Sequence, residues 1–167
     1  QSRCDNGDPH VVHRYLAAGG ECTCDLNGGV IYHCGPVVVP DGDGWRVTAA
    51  GPTTSAREEP YMSKLIERFA LRAVIGKGGM GQGTLAACQK FGCVYLHAVG
   101  GAAQVLAETI VNVKDVHLKE QFGSPEAIWE LEVRDFPALV TMDSHGGNLH
   151  ADVEQHARVE LARLVRK

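Results

Sequence analysis

A loop rich in hydroxyl groups is the first place in this sequence where chemistry could occur. Residues 51–57 read GPTTSAR. If a helix begins near Ser55, its free N–H groups and its dipole favour an anion there, and the Thr53 and Thr54 hydroxyls add hydrogen-bond donors. The Arg57 guanidinium can hold a carboxylate with two parallel hydrogen bonds. The alternative interpretation is a capped helix with a solvated arginine.

A glycine-rich loop is the second candidate. Residues 75–81 read IGKGGMG, and the glycines on both sides of Lys77 let the main chain approach a ligand closely. A lysine there is a compact positive charge for an anion. The competing hypothesis is a phosphate loop of the GxxxxGK[ST] type. We disfavour it, because Lys77 precedes the paired glycines and residues 82–84, Gln-Gly-Thr, place no lysine beside the hydroxyl.

A third loop, VGGAA at residues 99–103, carries no charge and is either one wall of a site or a place of tight packing. Together the three loops favour a small anionic ligand bound by Arg57 and Lys77. None of them supplies a convincing general base, and Thr53 could move a proton only if another group lowered the pKa of its hydroxyl. The sequence therefore predicts half of an active site.

Strands and helices must position these loops. Apolar periodicity and turn residues predict strands at 30–39 (broken by Gly35-Pro36), 45–50, 71–75, 93–99, 130–133 and 138–142. They predict helices around residues 65–70, at 84–91, at 102–111, from Ser124 onward and, as an exposed tail, at 153–166. The first third is rich in strands and the middle alternates strand and helix, so we expect a mixed α/β or α+β domain.

The composition of the 167 residues excludes several classes of protein. Hydrophobic residues make up 44% and charged residues 22%, which is enough for a real core and unlike a disordered chain. The net charge of −4 provides no basic field for nucleic acid, and no apolar run reaches the roughly 20 residues of a membrane helix. We expect neither nucleic acid nor a membrane as a partner.

Six cysteines are scattered along the chain without a CxxC pair, and Cys22 and Cys24 are too close together for the usual zinc-knuckle spacing. The length of the chain and the lack of a secretory leader argue against a disulfide framework. We therefore predict mostly reduced thiols in a cytoplasmic protein. The opening residues do not resemble a natural start, so we expect the first strand of the domain to be missing.

Six motifs occur in one order: GPTTSAR, VIGKGGMG, AVGGAA, GSPEAIWELEV, DFPALV and DSHG. In this order they resemble the β subunit, or C-terminal domain, of the iron–sulfur class I fumarases and L-tartrate dehydratases, from about Leu26 to Leu149. The resemblance implies a swivelling β/β/α domain over residues 1–150, in which helices flank a mixed sheet, and a helical tail over residues 151–167. It also implies a hydro-lyase that hydrates or dehydrates a small dicarboxylic acid, fumarate and malate first and tartrate next.

The resemblance further implies a division of labour between two subunits. A partner α subunit carries a [4Fe-4S] cluster on three cysteines, in an α₂β₂ assembly that alone is active, while this chain holds no metal. Arg57 and Lys77 would clamp the substrate carboxylates, with Thr54 and Ser55 as further substrate contacts. Thr53 would be the catalytic residue beside the carbon that loses its proton, although a carboxylate of the partner is the alternative base.

Three departures from the family pattern affect these expectations. Family members read SARM where this chain has Glu58 after Arg57, so Glu58 should point away from the clamp. The arginine of an ARDxxH-type motif is matched only imperfectly, by Arg3, with His10 and His13 as lesser candidates. We expect either that the strand before this motif is missing or that the terminus was processed. A stand-alone dicarboxylate-binding or regulatory module that has lost catalysis is therefore the alternative function.

Overall fold

The computed structural model describes residues 11–165, which form six α-helices, eight β-strands and two short 3₁₀ turns. The helices are α1 (Val11–Ala17), α2 (Glu59–Phe69), α3 (Gln82–Phe91), α4 (Ala103–Glu108), α5 (Lys119–Phe122) and α6 (Leu149–Val165). The strands are β1 (Val30–Tyr32), β2 (Val37–Asp41), β3 (Gly44–Ala49), β4 (Ala73–Gly76), β5 (Val94–His97), β6 (Ile110–His117), β7 (Ile128–Val133) and β8 (Leu139–Met142). The 3₁₀ turns are Ser55–Glu58 and Ser124–Glu126.

A four-stranded sheet in the order β1-β4-β5-β8 forms the centre of the fold. The strands β1, β4 and β5 are parallel, whereas β8 pairs with β5 in the antiparallel direction. The remaining described strands form two separate two-stranded antiparallel sheets, β2-β3 and β6-β7. The expected mixed α/β fold, with helices flanking a mixed sheet and a helix at the C-terminal end, is confirmed.

The helices α2 and α3 supply six of the fourteen buried residues of the main core. Met62, Leu65 and Ile66 recur at helical spacing on α2, and all three are fully buried. They join Val74 of β4 and Tyr95 of β5 in one apolar cluster. Burying each such aliphatic side chain stabilises the fold by roughly 1.5–3 kcal/mol. The core therefore fixes β4 and β5, the two strands that lead into the second and third glycine loops.

Two segments predicted as helix are wholly or partly strand. The predicted helix at 102–111 ends at Glu108, and Ile110–His117 is strand β6. The helix expected from Ser124 is only the 3₁₀ turn Ser124–Glu126, after which β7 begins. The cause is the pairing of β6 with β7, a contact between separate segments that overrides local helix propensity.

The prediction of reduced thiols is wrong for one pair. Cys22 and Cys24 form a disulfide, with their Cα atoms 5.3 Å apart. This separation lies in the usual range for bridged cysteines. With one residue between them, the two side chains can meet on the same side of the chain. Of the other described cysteines, Cys34, Cys88 and Cys93 are free thiols.

The tail helix α6 begins at Leu149, four residues earlier than predicted, and residues 151–165 are all exposed. The division of the chain at residue 150 stays a prediction. Arg3, His10 and the expected missing strand lie outside the described residues. Within residues 11–165, none of the helices is both long enough and apolar enough to span a bilayer.

Candidate active site at the carboxyl ends of the parallel strands

The loop that carries Thr53 is fastened to the ends of β1 and β4 by main-chain hydrogen bonds. The N–H of Thr53 donates to the His33 carbonyl, directly after β1, at 2.7 Å. The N–H of Ser55 donates to the Lys77 carbonyl at 3.0 Å, and the N–H of Lys77 donates to the Thr53 carbonyl at 3.4 Å. Thr54 and Lys77 thus form a parallel bridge. The hydroxyl loop and the lysine loop, distant in sequence, are neighbours in the fold.

The third glycine loop meets the other two at the same edge of the sheet. The N–H of Ala98 donates to the Gly76 carbonyl at 2.8 Å. A Cβ added to Gly100 would lie 3.4 Å from Cδ of Lys77, so this loop passes beside the lysine stem. A Cβ added to Gly51 would lie 3.1 Å from Cβ of Ala103. The third loop therefore borders the site and is also tightly packed, which unites the two interpretations left open by the sequence.

The candidate ligand-binding side chains differ in exposure. Thr54 and Arg57 are exposed, whereas Thr53 and Lys77 are partly buried. A 3₁₀ turn begins at Ser55, the position considered above as a possible helix start, and leads directly into α2. Carboxyl ends of parallel strands are the usual place for ligands in open α/β sheets. This edge can therefore present two positive charges and two threonine hydroxyls to a small anion.

Ser55 has a different position from its neighbours. It is fully buried, its Oγ lies 2.8 Å from Nδ1 of His33, and it accepts a hydrogen bond from the Tyr95 hydroxyl at 2.9 Å. Burial raises the pKa of Tyr95, and hydrogen bonds with Ser55 and the Gly79 main chain partly oppose that rise. The Ser55 hydroxyl therefore holds the loop from inside rather than facing solvent.

His33 and Tyr95 were missed in the sequence because each looks like an ordinary strand residue. The one local signal is Gly76, a glycine inside a strand, which often marks close approach by another group. A Cβ added to Gly76 would collide with Oγ of Ser55 and lie 3.1 Å from both His33 Nδ1 and the Tyr95 oxygen. The missing side chain at Gly76 leaves the space in which these three groups meet.

Glu58 and His13 form a buried contact next to His33. Glu58 is 2% exposed, and its Oε2 lies 3.2 Å from Nδ1 of His13. The His13 ring in turn stands edge-on to that of His33, with centroids 5.3 Å apart. Glu58 is therefore buried while the adjacent Arg57 is exposed, as expected of a glutamate that points away from a carboxylate clamp.

A pair of histidines supports the lysine loop from the opposite side. The N–H of Gly78 donates to Nδ1 of His97 at 3.4 Å. The ring of His150, in the first turn of α6, packs on Gly79, where an added Cβ would come within 2.6 Å. Burial lowers the pKa of His150, and the nearby His97 adds to this shift. The start of the tail helix therefore packs against the lysine loop.

A cavity of about 380 Å³ borders Thr53. Its walls are mainly apolar and come from β1, β7 and the start of the chain, with Thr53, His33 and Glu58 as polar members. Neither Lys77 nor Arg57 lines it. The cavity therefore contains neither of the two candidate cations.

Comparison with known proteins assigns the chain to a family. A family model described as Fumarase C-terminus matches residues 10–153. The chain is a member of the fumarase C-terminal domain family. This membership fits the order of the glycine loops and their convergence at one edge of the sheet.

Three relatives of this fumarase C-terminal domain illustrate its range. A Geobacillus stearothermophilus protein named "Putative fumarate hydratase class I" is 54% identical over 92% of this chain and 30% of its own length. A Methanocaldococcus jannaschii protein named "Putative L(+)-tartrate dehydratase subunit beta" is 40% identical over 84% of this chain and 73% of its own. The Escherichia coli "L(+)-tartrate dehydratase subunit beta" is 41% identical over 77% and 64%. The chain thus spans less than a third of the first relative.

The described cysteines of this fumarase C-terminal domain do not fit an iron–sulfur cluster. Cys22 and Cys24 are bonded to each other, Cys88 and Cys93 are both fully buried, and the Cys93 thiol donates to the Val94 carbonyl at 3.6 Å. Cys34 lies after β1, where burial raises the pKa of its thiol to about 12. Among residues 11–165 no group of three or more His, Cys, Asp or Glu side chains could hold a metal ion. The described part of this domain offers no ligand set for a cluster.

Proposed function

We propose that this domain is the carboxylate-binding part of an iron–sulfur-dependent hydro-lyase, which reversibly hydrates or dehydrates a small dicarboxylic acid. Fumarate and malate are the first candidates and tartrate the next, following the names of the relatives. The observation that carries the proposal is the hydrogen bonding of the Thr53 loop to the Lys77 loop at the carboxyl ends of β1 and β4. That bonding brings the GPTTSAR and IGKGGM motifs to one edge.

Two cations suit a dicarboxylate because each can neutralise one end of it. The Arg57 guanidinium is exposed and can receive a carboxylate with two hydrogen bonds, so we assign it the end remote from the reaction. Lys77 is partly buried and its main chain adjoins Thr53, so we assign it the carboxylate next to the reacting carbon. Thr54, exposed at the same edge, adds a further hydrogen bond.

Removing water from a 2-hydroxy diacid requires loss of a proton from the carbon beside one carboxylate and departure of hydroxide from the neighbouring carbon. Negative charge accumulates on the carboxylate beside the carbon that loses the proton. A fixed cation that meets this charge stabilises the transition state more than the ground state. In our assignment Lys77 supplies it. The Thr53 hydroxyl lies beside the carbon and transfers the proton, or orients the substrate for a carboxylate base of the partner.

The rest of the active site belongs to a partner in this proposal. Because the described cysteines do not fit the [4Fe-4S] cluster, we assign the cluster to an α subunit, or to the remainder of a longer chain as in the Geobacillus relative. We further propose an α₂β₂ assembly in the cytoplasm, active only when both parts are present. The names of the archaeal and E. coli relatives, each a subunit beta, support a division into subunits.

The test is anaerobic reconstitution of this chain with its partner and measurement of fumarate hydration. Lys77→Ala should lower kcat/KM on the order of 10²–10³-fold, the usual effect of removing one group that stabilises developing charge. Lys90→Ala is the matched control, because Lys90 is exposed at the end of α3. Full activity of Lys77→Ala would contradict the assignment of Lys77.

Calorimetry of the chain alone separates the proposal from a stand-alone binding module. Fumarate, malate and tartrate should bind weakly or not at all until the partner is added, because the partner supplies much of the pocket. Tight binding of any of these acids to the isolated chain, with no activity after reconstitution, would favour the module instead.

A further inference from the structure

The buried group formed by His33, Ser55 and Tyr95 is not explained by ligand binding. Resting on the function proposed above, we infer that His33 and Tyr95 are positioning residues, which act through Ser55 to hold the Thr53 loop and the Lys77 loop in one relative placement. This role does not require the Ser55 hydroxyl, the Tyr95 hydroxyl or the His33 ring to touch the substrate.

His33 binds the Thr53 loop at two points. Its carbonyl accepts the N–H of Thr53 at 2.7 Å, and its Nδ1 lies 2.8 Å from Oγ of Ser55. The residue is 2% exposed and follows directly after β1, a strand of the central sheet. The loop from Thr53 to Ser55 is therefore fixed to a rigid element both through its main chain and through a side chain.

Tyr95 connects the two loops to each other. Its hydroxyl donates to Oγ of Ser55 at 2.9 Å, and the N–H of Ser55 donates to the Lys77 carbonyl, in the lysine loop, at 3.0 Å. The tyrosine is fully buried on β5, one strand beyond β4. The group consequently spans β4, from β1 on one side to β5 on the other.

The hydrogen-bonding capacity of the serine fits this arrangement. A hydroxyl has one proton to donate and can accept up to two hydrogen bonds. When the Tyr95 hydroxyl donates to Ser55, the Ser55 proton is free to be donated to Nδ1 of His33. The order Tyr95 to Ser55 to His33 pairs the Tyr95 hydroxyl, the Ser55 hydroxyl and Nδ1 of His33 without water, which matches the complete burial of Ser55.

The lysine loop needs such a restraint because its own backbone is permissive. Gly78 and Gly79 have φ angles of 80° and 78°, in the left-handed region that glycine enters freely. Two consecutive glycines after Lys77 would leave the lysine loosely placed if nothing held them. Ser55, which accepts the Tyr95 hydroxyl, donates its N–H to the Lys77 carbonyl and so ties the start of this stretch to the neighbouring loop.

The test is the variant Tyr95→Phe in the complete enzyme, since it removes only the hydroxyl and keeps the buried ring. A shift of the loops by a fraction of an ångström should lower kcat by roughly 10- to 100-fold. KM should change much less, because Arg57 and Lys77 remain to bind the carboxylates. The matched control is Tyr15→Phe, whose hydroxyl bonds the main chain of Glu21 far from the loops and whose loss should change neither constant.

The double variant separates positioning from a general loss of stability. If Tyr95 acts through Ser55, then Tyr95→Phe combined with Ser55→Ala should lower kcat no further than Ser55→Ala alone. Multiplicative losses of kcat, or unchanged kcat in Tyr95→Phe, would overturn the inference.

Hydrogen–deuterium exchange distinguishes failure of this inference from failure of the proposed function. In the chain without its partner, Tyr95→Phe should speed exchange in both loops, residues 51–57 and 76–82, while Tyr15→Phe leaves both unchanged. If the reconstituted wild-type enzyme is inactive, the proposed function fails and the exchange result still decides whether Tyr95 orders the loops. Unchanged exchange in both loops would overturn the positioning role.

Discussion

The carboxylate of Glu59, the first residue of α2, accepts the main-chain N–H of Gly81 at 2.7 Å, immediately before α3 begins. It also accepts the N–H of Thr84 at 3.1 Å and the Thr84 hydroxyl at 2.7 Å. A carboxylate is well placed there, because the first N–H groups of a helix lack partners and carry partial positive charge. Glu59 thus fastens the far end of the lysine loop.

Replacing Glu59 with glutamine should destabilise the domain. Glutamine has one acceptor oxygen and would turn an NH₂ group toward N–H donors, so we expect Glu59→Gln to lower the free energy of unfolding by about 1–3 kcal/mol. The measurement is the urea midpoint at constant m-value. The control is Glu67→Gln. Glu67 is exposed, with its Oε1 3.7 Å from Nζ of Lys90, so this change should shift the midpoint little. Equal shifts in the two variants would refute the capping role of Glu59.

Gly76→Ala should displace the buried residues that support the site. The new methyl group would overlap Oγ of Ser55, so either β4 or the serine loop must move. We expect a loss of about 1–3 kcal/mol in the free energy of unfolding and a fall in kcat. Gly44→Ala is the control, because its Cβ would make only an ordinary 3.8 Å contact. A Gly76→Ala variant as stable and active as that control would show that the space is not needed.

Stability should fall in mildly acidic solution because of His150. Burial, and then the charge of His97, lower the pKa of His150 in the folded state below its ordinary value of 6.5. The folded chain therefore binds fewer protons at this site than the unfolded chain. This contribution to stability is present above pH 6.5 and is lost as the pH falls below 6.5 toward the lowered pKa.

The check is the urea midpoint at about pH 7.5 and about pH 5.5, on either side of the ordinary histidine pKa. His150→Gln should reduce the difference between the two midpoints, whereas His156→Gln, at an exposed position farther along α6, should leave it unchanged. Asp143, whose pKa is lowered by hydrogen bonds from the N–H groups of Gly147 and His145, affects stability only below pH 3.8. A difference that persists in His150→Gln would assign the effect to other groups.

Arg57→Lys should separate the two cations kinetically. The change keeps the charge but loses the planar pair of donors, so binding of the remote carboxylate should weaken. We expect KM for fumarate to rise about tenfold, the cost of roughly one hydrogen bond to a charged group, with kcat less affected. Steady-state kinetics of the reconstituted enzyme measure this. The opposite pattern, a large fall in kcat at constant KM, would instead place Arg57 beside the reacting carbon.

Elements with local signals were predictable from the sequence. The turn residues Asp41–Gly44 are a local signal for the β2-β3 hairpin, and Gly92, with a φ angle of 72°, is a local signal for the end of α3. Although the Thr53 loop follows the antiparallel strand β3, the second and third glycine loops follow β4 and β5, parallel neighbours whose carboxyl ends share one edge of the sheet. In these cases a few neighbouring residues contain the whole reason for the structure.

The parts that were missed depend on partners far away in the chain. Strand β6 pairs with β7 beyond an intervening helix, and nothing within residues 110–117 alone indicates that pairing. His33 and Tyr95 lie 22 and 40 residues from the serine that they contact, so no spacing rule connects them. The Cys22–Cys24 bond depends on the distance between two thiols, which chain length, a secretory leader and metal-motif spacing do not determine.

The glycine within β4 and the serine above it occupy one shared volume, so their sizes are interdependent. A larger residue at position 76 requires a smaller one at position 55, which means that Gly76→Ala and Ser55→Gly should partly rescue each other's folding. Among natural variants of this domain, the two positions should therefore change together rather than independently.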